Sequence, residues 1–131
     1  MTLAHIQPEG IFDSRQFFTQ VVTATPGRIV FISGQVGWDE EGRVVSSEYG
    51  PQVQKAFANL RLALAGAGAG PEHVAKITSF IVDHDETKLE PFRKEVGRLF
   101  GDRLPASTLL GVDRLARNDM LFEIEAIAVV P

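Results

Sequence analysis

The segment from Met120 to Val130 has a period of two, with Glu123, Glu125, Ile127 and Val129 on one face and only apolar residues on the other, which is typical of a β-strand with two different faces. Two glutamates, Glu123 and Glu125, stand on the face opposite the apolar one. The apolar face would hold Phe122, Ile124, Ala126, Ala128 and Val130. The pattern therefore predicts a long strand that carries two neighbouring carboxylates. Taken alone, it leaves open whether these are solvated or ion-paired strand residues or groups that contact a ligand.

Composition indicates an ordinary globular chain. It has 131 residues, 44% of them apolar and 23% charged, so we expect one domain with a substantial core. No apolar run approaches the roughly 20 residues of a membrane-spanning helix, and the first residues lack the basic and apolar regions of a signal peptide. The absence of cysteine excludes disulfides and a thiol nucleophile and fits a reducing compartment. We therefore expect a cytoplasmic protein with no membrane partner.

Charge and histidine placement restrict the possible partners further. The net charge of −4 and the scattered basic residues argue against nonspecific nucleic-acid binding, which needs clustered Lys and Arg. His5, His73 and His84 lack metal-ligand spacing, so no metal is expected. The glycine run at 66–70 follows a predicted helix, whereas a nucleotide-binding loop follows a strand and opens a helix. No cofactor is therefore expected.

Hydrophobic periodicity predicts five strands and two helices. The strands are expected at 16–24, 28–35, 74–82, 107–112 and 120–130, the helices at 51–65 and 89–100, and turns at 25–27 and 38–42. This order favours an α+β fold in which both helices lie on one face of a mixed sheet. The other face must then meet solvent or another subunit.

Several sequence blocks together resemble the Rid family, the YjgF-like reactive-intermediate deaminases. The blocks are an apolar strand ending in Ser-Gly-Gln at 33–35, a helix with Gln54 and Asn59, the strand at 76–83, and the closing segment from Pro105 to Val130. The resemblance covers nearly the whole chain. It implies a chorismate-mutase-like fold, a homotrimer and a small-molecule cleft at each subunit interface. The family reaction is hydrolysis of an amino-acid-derived enamine or imine to a keto acid and ammonia.

The resemblance also implies roles for particular residues. Glu123 matches the glutamate that positions or activates water, and the backbone at Ser33 and Gly34 can donate an N–H to a ligand oxygen. Two positions depart from the family pattern. Ser107 stands where deaminase-competent members have an arginine that pairs with the substrate carboxylate, and as a candidate binding residue it can hydrogen-bond but supplies no charge. Phe18 stands where tyrosine is usual, and it is either a lining residue of an apolar cleft or a core aromatic.

Two functions stay open at this point. One is a hydrolytic deaminase, or another hydrolase, of small imine or enamine metabolites, with Glu123 as its acid/base. The other is a non-catalytic trimer that binds a metabolite or a partner protein on the same scaffold. The serine at 107 favours the second, and the retained Glu123 and Ser-Gly-Gln block favour the first. Arg15 is either a substitute for the missing arginine in the cleft or an exposed loop residue.

Overall fold

A computed structural model describes residues 3–25 and 27–131. These residues form six strands and two α-helices, with short 3-10 turns at Pro71–His73 and Glu86–Lys88. The strands are β1 Leu3–Ile6, β2 Val21–Ala24, β3 Arg28–Val36, β4 Val74–Val82, β5 Ala106–Val112 and β6 Phe122–Val130, and the helices are α1 Tyr49–Gly66 and α2 Leu89–Phe100.

Four strands form a mixed sheet in the order β3-β6-β4-β5. β6 pairs antiparallel with both of its neighbours, whereas β4 and β5 run parallel. β1 and β2 form a separate antiparallel pair. The predicted alternation of buried and less buried side chains is present in β6. One of its faces is buried in the core at Phe122, Ile124, Ala126 and Ala128.

Both helices lie on the same side of the sheet. α1 packs on β3 and β6, and α2 packs against α1. Three phenylalanines join these layers, because the Phe57 ring of α1 lies 5.9 Å from Phe122 of β6 and 6.1 Å from Phe92 of α2, measured between ring centroids. The predicted α+β class, with two helices on one face of a mixed sheet, is confirmed.

The first turns of α1 lie close to the end of β3. A Cβ at Gly37 would lie 2.7 Å from the Cα of Gln52, so this approach requires glycine. The fully buried Gln52 donates from Nε2 to the carbonyl oxygens of Ser46 and Asp119, both at 2.8 Å, and its Oε1 accepts from the N–H of Leu121 at 2.8 Å. Two of these hydrogen bonds fix α1 to the segment that enters β6, and the one to Ser46 fixes it to the loop before α1.

The N-terminal part of the chain differs from the sequence-based prediction. Only Val21–Ala24 of the predicted strand at 16–24 is extended, because the preceding residues form a turn in which the N–H of Phe18 donates to the carbonyl oxygen of Ser14 at 2.9 Å. β1 has no counterpart among the predicted elements, since four residues are too few to show a period. Pro26, at the centre of a predicted turn, lies outside the described residues. The other predicted helices and strands match to within two residues.

The face of the sheet away from the helices, called the open face below, exposes apolar side chains. Phe31 is 75% exposed and Ile29 is 57% exposed on β3, and Leu110 on β5 and Ile127 on β6 are also exposed. Phe31 and Ile127 are register partners, so part of this surface is contiguous. Folded monomers rarely leave large apolar patches in water. The open face is therefore a candidate contact surface.

Candidate functional site

Glu123 lies on the open face against the backbone of Gly34. A Cβ at Gly34 would overlap the Glu123 carboxylate and lie 2.9 Å from its Cγ, so glycine leaves the space that the carboxylate occupies. The pairing of β3 with β6 shifts register between Ile32 and Gln35, which marks an irregularity of the β-bulge type at this point. Such irregularities re-aim nearby groups. Here the irregular stretch contains the glycine that contacts Glu123.

The surroundings of Glu123 disfavour its negative charge. Partial burial raises the pKa of Glu123 above its ordinary value, and the negative charge of Glu125 on the same face raises that pKa further. Phe80 lies directly across from Glu123 on β4, and Thr78 lies across from Glu125. A carboxyl group with a raised pKa is better suited to exchange protons near neutral pH.

Ser33 completes a first group of predicted site residues. Its side chain is exposed, and its carbonyl oxygen accepts a hydrogen bond from Nε2 of Gln35 at 3.0 Å. Ser33 directly precedes Gly34 in β3, so three of the residues named from the sequence lie near one another. Ser33, Gly34 and Glu123 are called the glutamate cluster below.

A second group lies on the helix side of the sheet, around a cavity of about 250 Å³. The cavity lies between α2, β5 and the loop before β2, and its lining includes both Phe18 and Ser107. Most of the other lining residues are apolar: Phe17, Leu89, Phe92, Val96, Leu104 and Leu109. This space, called the Ser107 cavity below, has the apolar lining and few polar groups that are typical of small-molecule sites.

Backbone hydrogen bonds explain why Phe18 and Ser107 share this cavity. The N–H of Thr19 donates to the carbonyl oxygen of Pro105 at 3.1 Å, and the Thr19 hydroxyl donates to the carbonyl oxygen of Leu104. The residue after Phe18 is thereby fixed to the segment that enters β5. Since Ser107 is the second residue of β5, the two side chains meet although they lie far apart in sequence.

The two groups lie on opposite faces of the sheet. Ser107 is the register partner of Ile77, whose side chain is buried in the core under the helices. Glu123 is the register partner of Phe80, which has the opposite orientation along β4 because side chains alternate. One chain therefore does not bring Ser107 and Glu123 into a single pocket.

Arg15 is occupied elsewhere. Its guanidinium donates to Asp13 from Nε at 2.8 Å and from Nη2 at 2.6 Å, and the Arg15 side chain is 71% exposed. The same hydrogen bonds lower the pKa of Asp13 to about 2. Arg15 thus occupies an exposed loop and does not line the Ser107 cavity.

A different arginine, Arg93, lines the cavity, although the sequence pattern alone does not distinguish it. Arg93 lies on α2, and its guanidinium carbon is 4.4 Å from the ring centroid of Phe17. It follows Phe92 and stands one turn after Leu89, at the edge of the apolar stripe of α2. The only sequence feature that could have indicated Arg93 is its position as a basic residue at the edge of this stripe. Helical spacing alone does not show which residues its side chain contacts.

The histidines have separate positions. His5 lies in β1, His84 follows β4, and His73 accepts a hydrogen bond at Nδ1 from the N–H of Gly70 at 2.9 Å. Within 3–25 and 27–131, no three His, Cys, Asp or Glu side chains form a group that could hold a metal ion. In the same part of the chain, neither helix is long and apolar enough to cross a membrane.

The mixed sheet, the two helices on one side and the glutamate cluster on the other define a small α+β protein of the YjgF type. Residues 11–130 match the family described as Endoribonuclease L-PSP, and the chain belongs to this family. The Rid-like resemblance of the sequence is thereby confirmed.

Individual relatives agree with this assignment. The RutC family protein YjgH of Escherichia coli is 37% identical over 106 residues, which cover 80% of this chain and 78% of YjgH. A RutC family protein of Pyrococcus abyssi is 34% identical over 104 residues, which cover 78% of this chain and 79% of the relative. The crystal structure of YyfB from Yersinia pestis, a Rid-family protein of unknown function, has a TM-score of 0.94 at 32% identity and covers 99% of this chain and 100% of its own.

Proposed function

We propose that this protein is a hydrolytic deaminase, or a related hydrolase, of small imine or enamine metabolites. The observation that carries the proposal is the glutamate cluster, in which a half-buried carboxyl group with a raised pKa sits against a glycine backbone. Among the described residues, no group forms a hydrogen bond or ion pair with the Glu123 carboxylate, so it is available to a water or a substrate. That combination suits proton transfer.

Imine hydrolysis needs one base and one acid at the reacting carbon. In our proposal the Glu123 carboxylate accepts a proton from a water whose oxygen bonds to the imine carbon. The same carboxyl group then gives that proton to nitrogen, which completes a carbinolamine. It next takes the hydroxyl proton of the carbinolamine and passes it to nitrogen as the carbon–nitrogen bond breaks, so ammonia leaves and a carbonyl product remains. Water and imine thus give carbonyl and ammonia with no redox change. An enamine first takes a proton at carbon, for which a carboxyl group of raised pKa is also suited.

We further propose that the site forms between chains of a homotrimer. Support comes from the opposite orientations of Ser107 and Glu123. A ligand that contacts both the Ser107 cavity and the glutamate cluster must therefore take the cavity from one chain and the cluster from another. The exposed apolar side chains of the open face give a surface for that contact. The number three rests on the family resemblance.

The test of catalysis is the comparison of Glu123→Gln with Glu125→Gln. Imines generated in the assay from amino acids should lose ammonia faster with the wild type than without protein. Glu123→Gln should reduce turnover by a factor of roughly 10²–10⁴, the usual contribution of general acid–base catalysis. Glu125→Gln should reduce turnover by a much smaller factor. The wild-type rate should rise with pH through a value above the ordinary pKa of glutamate, because the attacking water needs the ionised form. Equal losses in both variants would exclude Glu123 as the proton-transfer group.

Ser107 favours a second candidate, a non-catalytic trimer that binds a metabolite or a partner protein. A serine hydroxyl cannot supply the positive charge that an arginine gives to a substrate carboxylate, and a charged hydrogen bond contributes roughly 1.5–3 kcal/mol. Under this second candidate, turnover of 2-aminoacrylate-type imines by the wild type should be weak or absent. Ser107→Arg should raise it if the site is otherwise complete. No turnover in either protein, together with measurable ligand binding, would favour the non-catalytic candidate.

The charge of this chain does not support an endoribonuclease activity. The net charge of −4 and the scattered basic residues give no surface of the kind that binds phosphate backbones. A small molecule is the ligand that the lining of the Ser107 cavity supports.

A further inference from the structure

Arg93 places a positive charge at the Ser107 cavity. Its side chain lines the same space as Ser107, but it comes from α2 rather than from β5. The ion pairs of the described residues join other arginines to carboxylates, and Arg93 has no such partner within 4 Å. The charge is therefore not neutralised by a neighbouring side chain and is available to an anionic ligand.

The Arg93 guanidinium is also oriented before any ligand arrives. It lies 4.4 Å from the ring centroid of Phe17, in the range of a cation–π contact. Phe17 itself is held by its N–H, which donates to the carbonyl oxygen of Ser14 at 2.7 Å. A guanidinium that stacks on an aromatic ring keeps its in-plane N–H donors free for a carboxylate.

The other residues that line the Ser107 cavity determine the shape and polarity of the rest of the ligand. Phe18, Phe92 and Leu109 give the cavity an apolar interior of about 250 Å³. Gly97, one turn beyond Arg93 on α2, also lines it, and a Cβ at Gly97 would have no atom within 4 Å. A glycine inside a helix is less favourable than alanine. This glycine keeps open space beside the guanidinium.

We propose that Arg93 binds the carboxylate of the ligand in the Ser107 cavity, and that the ligand is a small monocarboxylic acid or its imine with an apolar body. The inference rests on the proposed function in that it takes this cavity to be part of the ligand site. Ser107 then adds a neutral hydrogen bond beside the charge. The positive group that position 107 lacks is supplied from a different element of the same cavity.

The experiment compares two probes that differ in charge, 4-fluorophenylacetate and its neutral analogue 4-fluorophenylacetamide. Their binding to the whole protein is followed by fluorine NMR titration at neutral pH. The wild type should bind the carboxylate about tenfold more tightly than the amide, the lower end of what charged hydrogen bonds contribute. Arg93→Met should bring that ratio close to one while leaving the amide affinity nearly unchanged.

Two further variants serve as controls. Lys94→Met removes the same charge from the neighbouring, exposed position of α2 and should keep the tenfold preference. Gly97→Leu should weaken both probes by filling the open space, and it should not destabilise the helix because leucine is the better helix former. If Arg93→Met fails to fold, Arg93→Lys keeps the charge but loses the planar donors, and an intermediate preference is expected.

The possible failures are distinct. If both probes bind and Arg93→Met leaves their ratio unchanged, Arg93 is a packing residue and the inference is overturned, while the small-molecule cavity stands. If neither probe binds to the wild type, this cavity is not a site for such ligands and the inference fails. The Glu123 comparison on imines is independent of both results, so the proposed catalysis can succeed or fail separately.

Discussion

The Glu123 carboxylate is positioned by the shape of its surroundings. The carboxylate has no hydrogen-bond or ion-pair partner among the described residues, and it fits into the space left by the missing side chain of Gly34. Burial and the nearby charge of Glu125 oppose its ionisation. A carboxyl group that is held by the shape of its surroundings, without an ion-pair partner, can still bind a proton or a water. This placement is therefore compatible with the proposed chemistry.

Gly34→Ala tests that placement. The backbone of Gly34 is not in the left-handed region, so alanine fits its conformation, but the new Cβ would overlap the end of the flexible Glu123 side chain. We expect the carboxylate to move and turnover of an imine substrate to fall by about tenfold to a hundredfold, as for other small misplacements of a reacting group. The urea unfolding midpoint should change little.

Gly50→Ala is the matched control for this variant, because a Cβ at Gly50 would meet no atom within 4 Å. It should leave turnover unchanged. Wild-type activity in Gly34→Ala would show that the position of the Glu123 carboxylate does not limit the reaction.

At the scale of elements, hydrogen bonds from two polar side chains of α1, the buried Gln52 and the half-buried Asn59, fix this helix to the neighbouring strand ends. Gln52 joins α1 to the segments before α1 and before β6 through three hydrogen bonds of 2.8 Å. Asn59, two turns later, donates from Nδ2 to the carbonyl oxygens of Val36 and Trp38, both at 2.9 Å. The ends of β3 and β6, between which the glutamate cluster lies, are thus both held by side chains of α1.

Gln52→Leu should be strongly destabilising. Leucine fills a similar volume but leaves two carbonyl oxygens and one N–H without their partners, and an unsatisfied buried group costs about 1–3 kcal/mol. We expect the free energy of unfolding to fall by about 3 kcal/mol in urea titrations. Gln54→Leu, on the exposed side of the same helix, should stay within about 0.5 kcal/mol of the wild type. Similar losses in both would show that the hydrogen bonds of Gln52 are not what stabilises α1.

The same helix shows how far sequence patterns reach. The alternation of β6 and the spacing of α1 and α2 predicted these elements closely, because burial on one face imposes a period. Gln54 belongs to the sequence block that resembles the family, but the hydrogen bonds to the segment before β6 are made by Gln52. The sequence pattern could not show this, because only the packing of α1 determines which glutamine meets unpaired backbone groups. Helical spacing does not distinguish Arg93 for the same reason. Its role depends on a loop that approaches α2 from far away in sequence.

At the scale of the whole molecule, the open face is the feature that one chain leaves unexplained. The sheet presents Phe31 and Ile29 to solvent, with Ile127 beside Phe31 on the next strand. The glutamate cluster lies on this side and the Ser107 cavity on the other. An assembly that buries the open face and brings a neighbour's cavity towards Glu123 would account for both observations.

Phe31→Glu should therefore dissociate the proposed trimer. A charge at a position that becomes buried between chains carries a large desolvation cost, whereas the same charge is harmless on a free surface. Sedimentation equilibrium should give three times the chain mass of 14.3 kDa for the wild type and the single-chain mass for the variant. Phe12→Glu is the control, because Phe12 is 70% exposed but lies in a loop outside the sheet, and this variant should remain trimeric.

Dissociation of Phe31→Glu would separate Glu123 from the Ser107 cavity of the neighbouring chain. This variant should therefore also lose imine turnover, while circular dichroism shows that its core stays folded. A wild-type chain that sediments as a monomer at micromolar concentration would remove the interfacial site, and a fully active monomeric Phe31→Glu would place the whole reaction within one chain.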